Sequence, residues 1–274
     1  MNSYFYILII ILTSISQTTT HKALSTLFRK VSPYGFLNSL DSVRCYLTLK
    51  GMTMRKVPFA VGEWYHCYNR SVEGRTSFED TRDYQRFLEL LYLANDELPL
   101  RRNDIGIRKF EEVLKILRGK KLVAIGAFCL MPNHFHLVLK EVSEGGIIAF
   151  MRKMGTAYTM YFNARHERMG NLFLKPFQSR YVSTDRYFQH LINYVHCNPA
   201  VLYEPKWKTS HVVDPQYLGE HIAAYPYSSL SAHMGAHTPT STILDTEIFS
   251  IVRSVPIQKM LQEAQRYGAD SDIP

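Results

Sequence analysis

The sequence predicts an α+β fold with a hydrophobic core of its own. Its 274 residues are 46% hydrophobic and 13% aromatic, which is enough apolar material to bury a core and argues against a disordered chain. Short runs rich in aromatic and β-branched residues are separated by longer segments with helical apolar spacing. Because these segments do not repeat as strict β-α-β units, we expect helices packed on a sheet in an α+β sandwich.

Three segments have the composition of strands. Residues 63–70 (EWYHCYNR) are rich in aromatics, residues 121–131 form an almost continuous apolar run, and residues 134–140 (HFHLVLK) follow at once. Pro132 and Asn133 lie between the last two segments and are typical of a turn. We therefore expect a buried strand joined to its neighbour by a tight turn.

Helices are predicted between and after these strands, at residues 80–94, 109–118, 147–164 and 186–197. Asp80 or Thr81 is the expected N-cap of the first helix, and residues 183–185 supply cap candidates for the last one. Pro199 ends that last helix, because the residue before a proline is pushed out of the helical region. Loops are predicted at residues 71–77, 95–108 and 163–178, and residues 200–274 are loop-rich with weak helices.

The net charge of +8 favours a partner that carries phosphate or another anionic surface. Five basic residues and one acidic residue lie in residues 1–51, which leaves the remainder with a net charge of +4. Charge alone therefore does not define the function. The four cysteines have neither paired nor zinc-site spacing, which indicates free thiols in a reducing compartment and hence a cytoplasmic protein.

The first 51 residues differ from the rest of the chain. Residues 4–12 are an apolar run with no preceding Lys or Arg, too short for a membrane span and without the charge of a signal peptide. We expect translation to start at Met52 or Met54, and we expect no stable membrane partner; a signal or anchor is the alternative. The predicted organisation is an N-terminal extension at 1–51, a main domain at 55–235 and a C-terminal tail at 236–274.

His134 and His136 lie two residues apart in a predicted strand. Side chains two apart share a face, so both imidazoles point the same way while Phe135 points to the opposite, core face. Separated by about 7 Å along the strand, the two rings can converge on one divalent metal ion. Taken alone, such a pair is more often two ordinary histidines on a half-exposed strand, because short motifs match by chance.

The predicted helix at 186–197 carries a candidate nucleophile. Tyr194 and Asn198 are four residues apart on one helical face, and His190 extends the same stripe by a turn. A tyrosine hydroxyl attacks phosphorus when a metal ion polarises the phosphate, and an amide oxygen is a suitable ligand for a hard cation. The alternative is a tyrosine packed on the core and an asparagine ending the helix, since the chain has 18 tyrosines.

A basic stretch at 152–186 interleaves cations with aromatic rings. Cations that follow a phosphate backbone and rings that stack on bases are the pattern of single-strand binding. A solvated face over aromatic core residues is the alternative. With Arg70 included, the predicted DNA-binding residues are Arg70, Arg152, Lys153, Arg165, Arg168, Lys175, Arg180 and Arg186.

These motifs occur together in an order known from one family. Residues 130–137 (LMPNHFHL) resemble the histidine–hydrophobe–histidine signature of single-tyrosine HUH transposases, of the IS200-like and REP-associated kind. Across about residues 55–235, further segments resemble this family in the same order: 66–70 (HCYNR), 161–165 (YFNAR), 170–173 (GNLF), 194–199 (YVHCNP) and 225–229 (YPYSS).

The resemblance implies a ferredoxin-like antiparallel sheet flanked by helices, followed here by a helical and loop-containing C-terminal extension. It implies Mg²⁺ or Mn²⁺ bound by His134 and His136, with Asn198 as third ligand and Tyr194 as nucleophile. The implied function is a transposase that cleaves and rejoins single-stranded, hairpin-containing DNA through a 5′-phosphotyrosine. Such proteins occur as monomers and as dimers, so a homodimer stays open.

Two other classes of protein stay open on the sequence. One is a DNA-binding protein derived from a transposase that no longer cleaves. The other is an unrelated metal hydrolase or oxygenase, which would need a carboxylate ligand such as Glu63 beside the two histidines. The segments at 95–110 and 203–220 are longer than the family's minimum, and residues 1–51 have no counterpart in it.

Overall fold

The structure, a computed structural model, describes residues 58–100, 109–209, 212 and 214–270. Its centre is a four-stranded antiparallel sheet made of β1 (Trp64–Arg70), β2 (Val123–Met131), β3 (His134–Glu141) and β4 (Gln178–Tyr181). The strands lie in the order β2-β3-β1-β4. The predicted extension at 1–51, the predicted start at Met52 or Met54 and part of the predicted loop at 95–108 lie outside the described residues.

Helices accompany the sheet along the whole described chain. They are α1 (Thr81–Leu93), α2 (Phe110–Val113), α3 (Gly146–Arg165), α4 (Asp185–Cys197), α5 (Ala200–Tyr203), α6 (Pro215–Ala223), α7 (Leu230–His233), α8 (Ile248–Ile251) and α9 (Ile257–Asp270), with short 3₁₀ helices at Val72–Gly74 and Pro239–Ile243. Apart from the single turn of α2, the order from β1 to β4 is the β-α-β-β-α-β order of a ferredoxin-like fold. The predicted α+β class is confirmed.

The predicted caps fix where two of the main helices begin. The Asp80 carboxylate accepts hydrogen bonds from the backbone N–H groups of Arg82 and Asp83, at 2.9 and 3.3 Å, and so caps α1. The Thr184 hydroxyl accepts from the backbone N–H of Tyr187 at 3.1 Å and caps α4. Local side-chain chemistry therefore sets both helix starts.

Three predictions on local structure were wrong. No strand was predicted at β4, which lies between the predicted loop at 163–178 and the cap candidates at 183–185. Its four residues (QSRY) show no apolar alternation and owe their conformation to pairing with β1. The helix predicted at 109–118 is a single turn at 110–113, although Val113 and Leu114 are buried in the core. The region after residue 200 holds the 14-residue helix α9.

Both faces of the sheet are covered, which separates its side chains into two cores. Phe135 joins the core under α1 and α3, together with Phe87 and Tyr158. The opposite face packs against α4 through residues such as Val138 and Leu191. The predicted alternation along β3 is confirmed. On the histidine face, His136 is buried and His134 is partly buried, because α4 lies across this face.

The segment after residue 235 contributes to these cores as far as it is described. Ile248 packs with the α4 side of the sheet, and Met260 and Leu261 of α9 pack with Trp207 in a third apolar cluster. Leu244 joins the core under α1 and α3. Residues 236–270, predicted as a tail, are therefore part of the packed unit. No helix in the described part of the chain is long and apolar enough to cross a membrane.

Candidate active site

The strand register brings His134 and His136 together on the face covered by α4. His136 pairs with Tyr68 of β1, and His134 pairs with Arg70 at the end of the same strand. The two imidazole centroids are 5.1 Å apart and their planes are nearly perpendicular. The prediction that both histidines share one face is therefore confirmed.

Each imidazole uses its Nδ1 atom in a hydrogen bond within the protein. His134 Nδ1 lies 2.7 Å from Asn133 Oδ1, and His136 Nδ1 lies 2.9 Å from His66 Nε2. His136 Nε2 is buried and has no hydrogen-bond partner among the described residues. Both Nε2 atoms are thus uncommitted by these bonds, which is the arrangement that metal-binding histidines need.

Burial keeps these histidines neutral near pH 7. Burial lowers the pKa of His134 to about 4, helped by the positive charges of Arg70 and Lys208. The pKa of His136 is also well below its ordinary value, again chiefly because of burial. A neutral imidazole has the lone pair that a metal ion binds, so both side chains are in the required state.

Tyr194 reaches the histidines from α4. Its ring centroid lies 5.7 Å from that of His136 and 6.2 Å from that of His66, with edge-to-face geometry in both pairs. The side chain is only 1% exposed, and this burial raises the pKa of the phenol to about 12, although a hydrogen bond with Asn198 acts in the opposite direction. Helix α4 therefore positions Tyr194 beside the histidine pair, as predicted, and the phenol is protonated near pH 7.

The third predicted ligand lies one turn further along α4. Asn198 is 4% exposed, and its Nδ2 donates a hydrogen bond to the Tyr194 carbonyl at 2.9 Å. Its amide oxygen is the atom left for a cation. In the residues that the structure describes, no three His, Cys, Asp or Glu side chains are arranged to hold a metal ion. A metal bound by the histidine pair would need an oxygen of another kind, and Asn198 fits that need.

Two side chains from the sequence analysis lie elsewhere. His190 Nδ1 is 3.8 Å from a Glu263 carboxylate oxygen, so the stripe drifts away from the histidine pair within one turn. Glu63 precedes Trp64, which pairs with Lys140 at the far end of β3 from His134, and it accepts a hydrogen bond from Tyr181. The structure therefore does not bring Glu63 to the histidines, and it gives no support to a hydrolase or oxygenase site.

Sequence reasoning missed two side chains that the structure places at this site. His66 is fully buried and contacts His136 through its Nε2 atom, and its own Nδ1 has no partner in the described structure. Alternation along residues 63–70 could have placed His66 on the histidine face. Lys208 Nζ lies 3.4 Å from the Tyr194 hydroxyl oxygen. No motif marks Lys208, because it lies in the long segment at 203–220.

The eight predicted DNA-binding residues separate into two groups. Arg70 and Arg180 lie on the histidine face, where Arg180 pairs with His66 in the β1–β4 register. Both are therefore within the same region as Tyr194, and a role in holding DNA beside it stays a prediction for these two.

Three of the other six are bound within the protein. Lys153 donates to two loop carbonyl groups, and Arg168 donates to the Asn163 side chain at 2.7 Å. Arg165 forms ion pairs with Asp80 and with the fully buried carboxylate of Asp83. The remaining three are exposed: Arg152, Lys175 and Arg186. The structure thus gives Arg165 an evident role in stability.

Two uncommitted imidazole nitrogens from β3 and a tyrosine hydroxyl from α4 therefore lie together, as the resemblance to single-tyrosine transposases implies. Residues 99–198 match the family model described as "Transposase IS200 like", so the resemblance is confirmed over that segment. A solved structure described as a REP-associated tyrosine transposase bound to a REP hairpin also matches, with 12% identity and a TM-score of 0.39, covering 68% of this chain and 88% of that one. No curated protein matches the chain.

Proposed function

We propose that the protein is a transposase that cleaves and rejoins single-stranded DNA through a 5′-phosphotyrosine bond on Tyr194. The observation that carries this proposal is the meeting of the Tyr194 ring and the His136 ring, 5.7 Å apart, beside an unpartnered imidazole nitrogen. The match of residues 99–198 to a transposase family adds independent support. We expect the protein to recognise a hairpin in the DNA, which positions the strand to be cleaved.

The chemistry exchanges one phosphoester bond for another. The Tyr194 hydroxyl oxygen forms a bond to phosphorus while the bond between phosphorus and the 3′ oxygen breaks. The phenolic proton passes through solvent to the leaving 3′ oxygen, which gives a free 3′-OH and a 5′-phosphotyrosine. A 3′-OH reverses the step and rejoins the strand, so no ATP is needed.

The residues present fit a divalent cation. His134 and His136 would hold it through their Nε2 atoms, and Asn198 would hold it through its amide oxygen. Bound Mg²⁺ or Mn²⁺ supplies polarisation of the scissile phosphate, which makes phosphorus a better target for a weak nucleophile. The protein itself buries Tyr194 beside the histidine pair and, through Arg70 and Arg180, places positive charge on the same face.

The test is the formation of a covalent protein–DNA adduct. Single strands carrying hairpins from the DNA that flanks the gene are labelled at the 3′ end, because that fragment keeps the phosphate, and are incubated with protein and Mn²⁺. We expect an adduct that survives denaturation in the wild type and disappears in Tyr194→Phe. Tyr158→Phe is the matched control, since Tyr158 is a fully buried tyrosine of α3. An adduct that persists in Tyr194→Phe would show that the nucleophile is assigned to the wrong residue.

A DNA-binding protein without cleavage is the second candidate. The burial of Tyr194, at 1% exposure with a raised pKa, favours it, because this phenol is both inaccessible and weakly nucleophilic at rest. In that case, hairpin DNA binds with the same affinity in the presence and absence of a chelator, and no adduct forms with any metal ion. A Mn²⁺-dependent adduct excludes this candidate.

A further inference from the structure

Lys208 lies in a turn that the protein holds firmly at the end of α5. The neighbouring Trp207 is fully buried in the apolar cluster formed with α6 and α9. The backbone N–H of Trp207 donates to the Glu204 carbonyl at 3.0 Å, and the backbone carbonyl of Trp207 accepts from the Gln265 side chain of α9 at 2.5 Å. Because Trp207 is anchored from both sides, the backbone from which the Lys208 side chain extends is held in place.

The Lys208 side chain extends from this turn to Tyr194. Lys208 Nζ lies 3.4 Å from Tyr194 Oη and 4.8 Å from the centroid of the same ring. Lys208 is partly buried, and its charge also acts on His134 and His136. The ammonium therefore lies beside the nucleophile and near enough to the histidine pair for its charge to act there.

We propose that Lys208 is a further catalytic residue, which orients the Tyr194 hydroxyl and stabilises the negative charge that develops on Oη during attack. This proposal rests on the proposed function of Tyr194. The family match ends at residue 198, so Lys208 lies outside it. The residue lies ten positions after Asn198, in the segment that is longer than the family's minimum.

The chemistry of this role leaves Lys208 unchanged. As the phenolic proton leaves for solvent, Lys208 Nζ donates a hydrogen bond to the oxygen and keeps its own protons. The P–O bond then forms at the same oxygen, and the reverse step restores the contact when the phenolate leaves. A charge-assisted hydrogen bond of this kind is stronger than a neutral one, and it is strongest when the oxygen carries charge. Because Lys208 Nζ lies 3.4 Å from Tyr194 Oη, the ammonium is placed to stabilise the charge that develops on that oxygen.

The first experiment measures the rate of adduct formation at saturating DNA across a range of pH. Lys208→Met keeps the chain length and removes the charge, Lys208→Arg keeps the charge, and Lys206→Met removes an exposed lysine two residues away as the matched control. We expect Lys208→Met to slow the reaction about tenfold to a hundredfold. In Lys208→Met, the pH at which the rate of adduct formation begins to rise should also be higher than in the wild type. Lys208→Arg should restore most of the rate, and Lys206→Met should behave as the wild type.

A role in packing alone would lower the melting temperature without moving the pH dependence, and Lys208→Arg would not restore the rate. Either that pattern or a wild-type rate and pH profile in Lys208→Met overturns the proposal. If the wild type forms no adduct that depends on Tyr194, the proposed function fails instead. The two failures are thus distinguishable.

A second measurement needs neither DNA nor activity. A fluorinated tyrosine at position 194 ionises at lower pH than tyrosine, and its ¹⁹F NMR signal reports that ionisation directly. We expect Lys208→Met to move the titration to higher pH, because the stabilising cation is gone, and Lys206→Met to leave it in place. An unchanged titration in Lys208→Met shows that the ammonium does not act on the phenol, and it refutes the proposal whether or not DNA is cleaved.

Discussion

His66 controls the orientation of a proposed metal ligand, and its removal gives a quantitative prediction. If His136 binds a cation through Nε2, its Nδ1 carries the proton and donates it to His66 Nε2, 2.9 Å away. His66→Leu fills a similar volume but accepts no hydrogen bond. His136 then loses both the partner that fixes its tautomer and the contact that holds its ring against rotation.

The expected loss is about 10-fold to 100-fold in Mn²⁺ affinity, or about 1.4–2.7 kcal/mol of binding free energy. Isothermal titration calorimetry with Mn²⁺ alone measures this loss without DNA. His66→Gln should recover part of the affinity, because the Gln carbonyl oxygen accepts the same hydrogen bond. The His66 side chain is fully buried, so thermal unfolding of each variant must be followed beside the titration.

His233→Leu is the matched control. His233 is also largely buried and hydrogen-bonds through Nε2, but its partner is the Gly126 carbonyl, away from the histidine pair. It should lower the melting temperature and leave Mn²⁺ binding unchanged. A folded His66→Leu protein that binds Mn²⁺ as tightly as the wild type would refute the proposed orientation of His136.

Three further predictions concern stability. Because burial lowers the pKa of His134 to about 4, the unfolded chain takes up a proton near pH 6.5 that the folded protein does not. Protonation of His134 in the unfolded chain therefore lowers the free energy of unfolding as the pH falls from 6.5 towards 4, by up to about 1.4 kcal/mol per pH unit, and has no effect above pH 6.5. Urea midpoints should fall over that window. Arg165→Met leaves the buried Asp83 carboxylate without its cation and should cost about 1–3 kcal/mol in urea unfolding with no change in DNA affinity; a selective loss of DNA binding would contradict this. Leu261→Ala, at 2% exposure, should cost about 2–5 kcal/mol, whereas the exposed Gln262→Ala should cost almost nothing, and equal melting temperatures for the two variants would argue against the packing of α9.

The parts of the fold that could be predicted are those whose cause is local. The apolar run of β2 and the alternation of β3 predict which of their side chains are buried. The caps of α1 and α4 are side chains adjacent to the helices that they start. Strand β4 could not be predicted, since its conformation comes from pairing with β1, far away in sequence. The packing of α9 against α4 is likewise a long-range contact.

The same distinction holds for the candidate site. His134, His136, Tyr194 and Asn198 could be selected because each pair follows the repeat of its own strand or helix. Lys208 reaches the site from a turn whose Trp207 is buried in an apolar cluster, and no short sequence pattern predicts that contact. The basic stretch was misleading for Arg165, because its ion pairs with α1 are invisible in a run of charges.

The pairing of β2 with β3 has a consequence for how this sequence can change. Leu130 pairs with Phe135 and Met131 pairs with His134 across the two-residue turn, so the turn sets which face each side chain of β3 occupies. One inserted or deleted residue there would turn every side chain of β3 to the other face. The imidazoles would enter the aromatic core and Phe135 would displace them under α4. A single insertion or deletion in this turn would therefore abolish both the proposed activity and folding. The long loops elsewhere should tolerate changes in length.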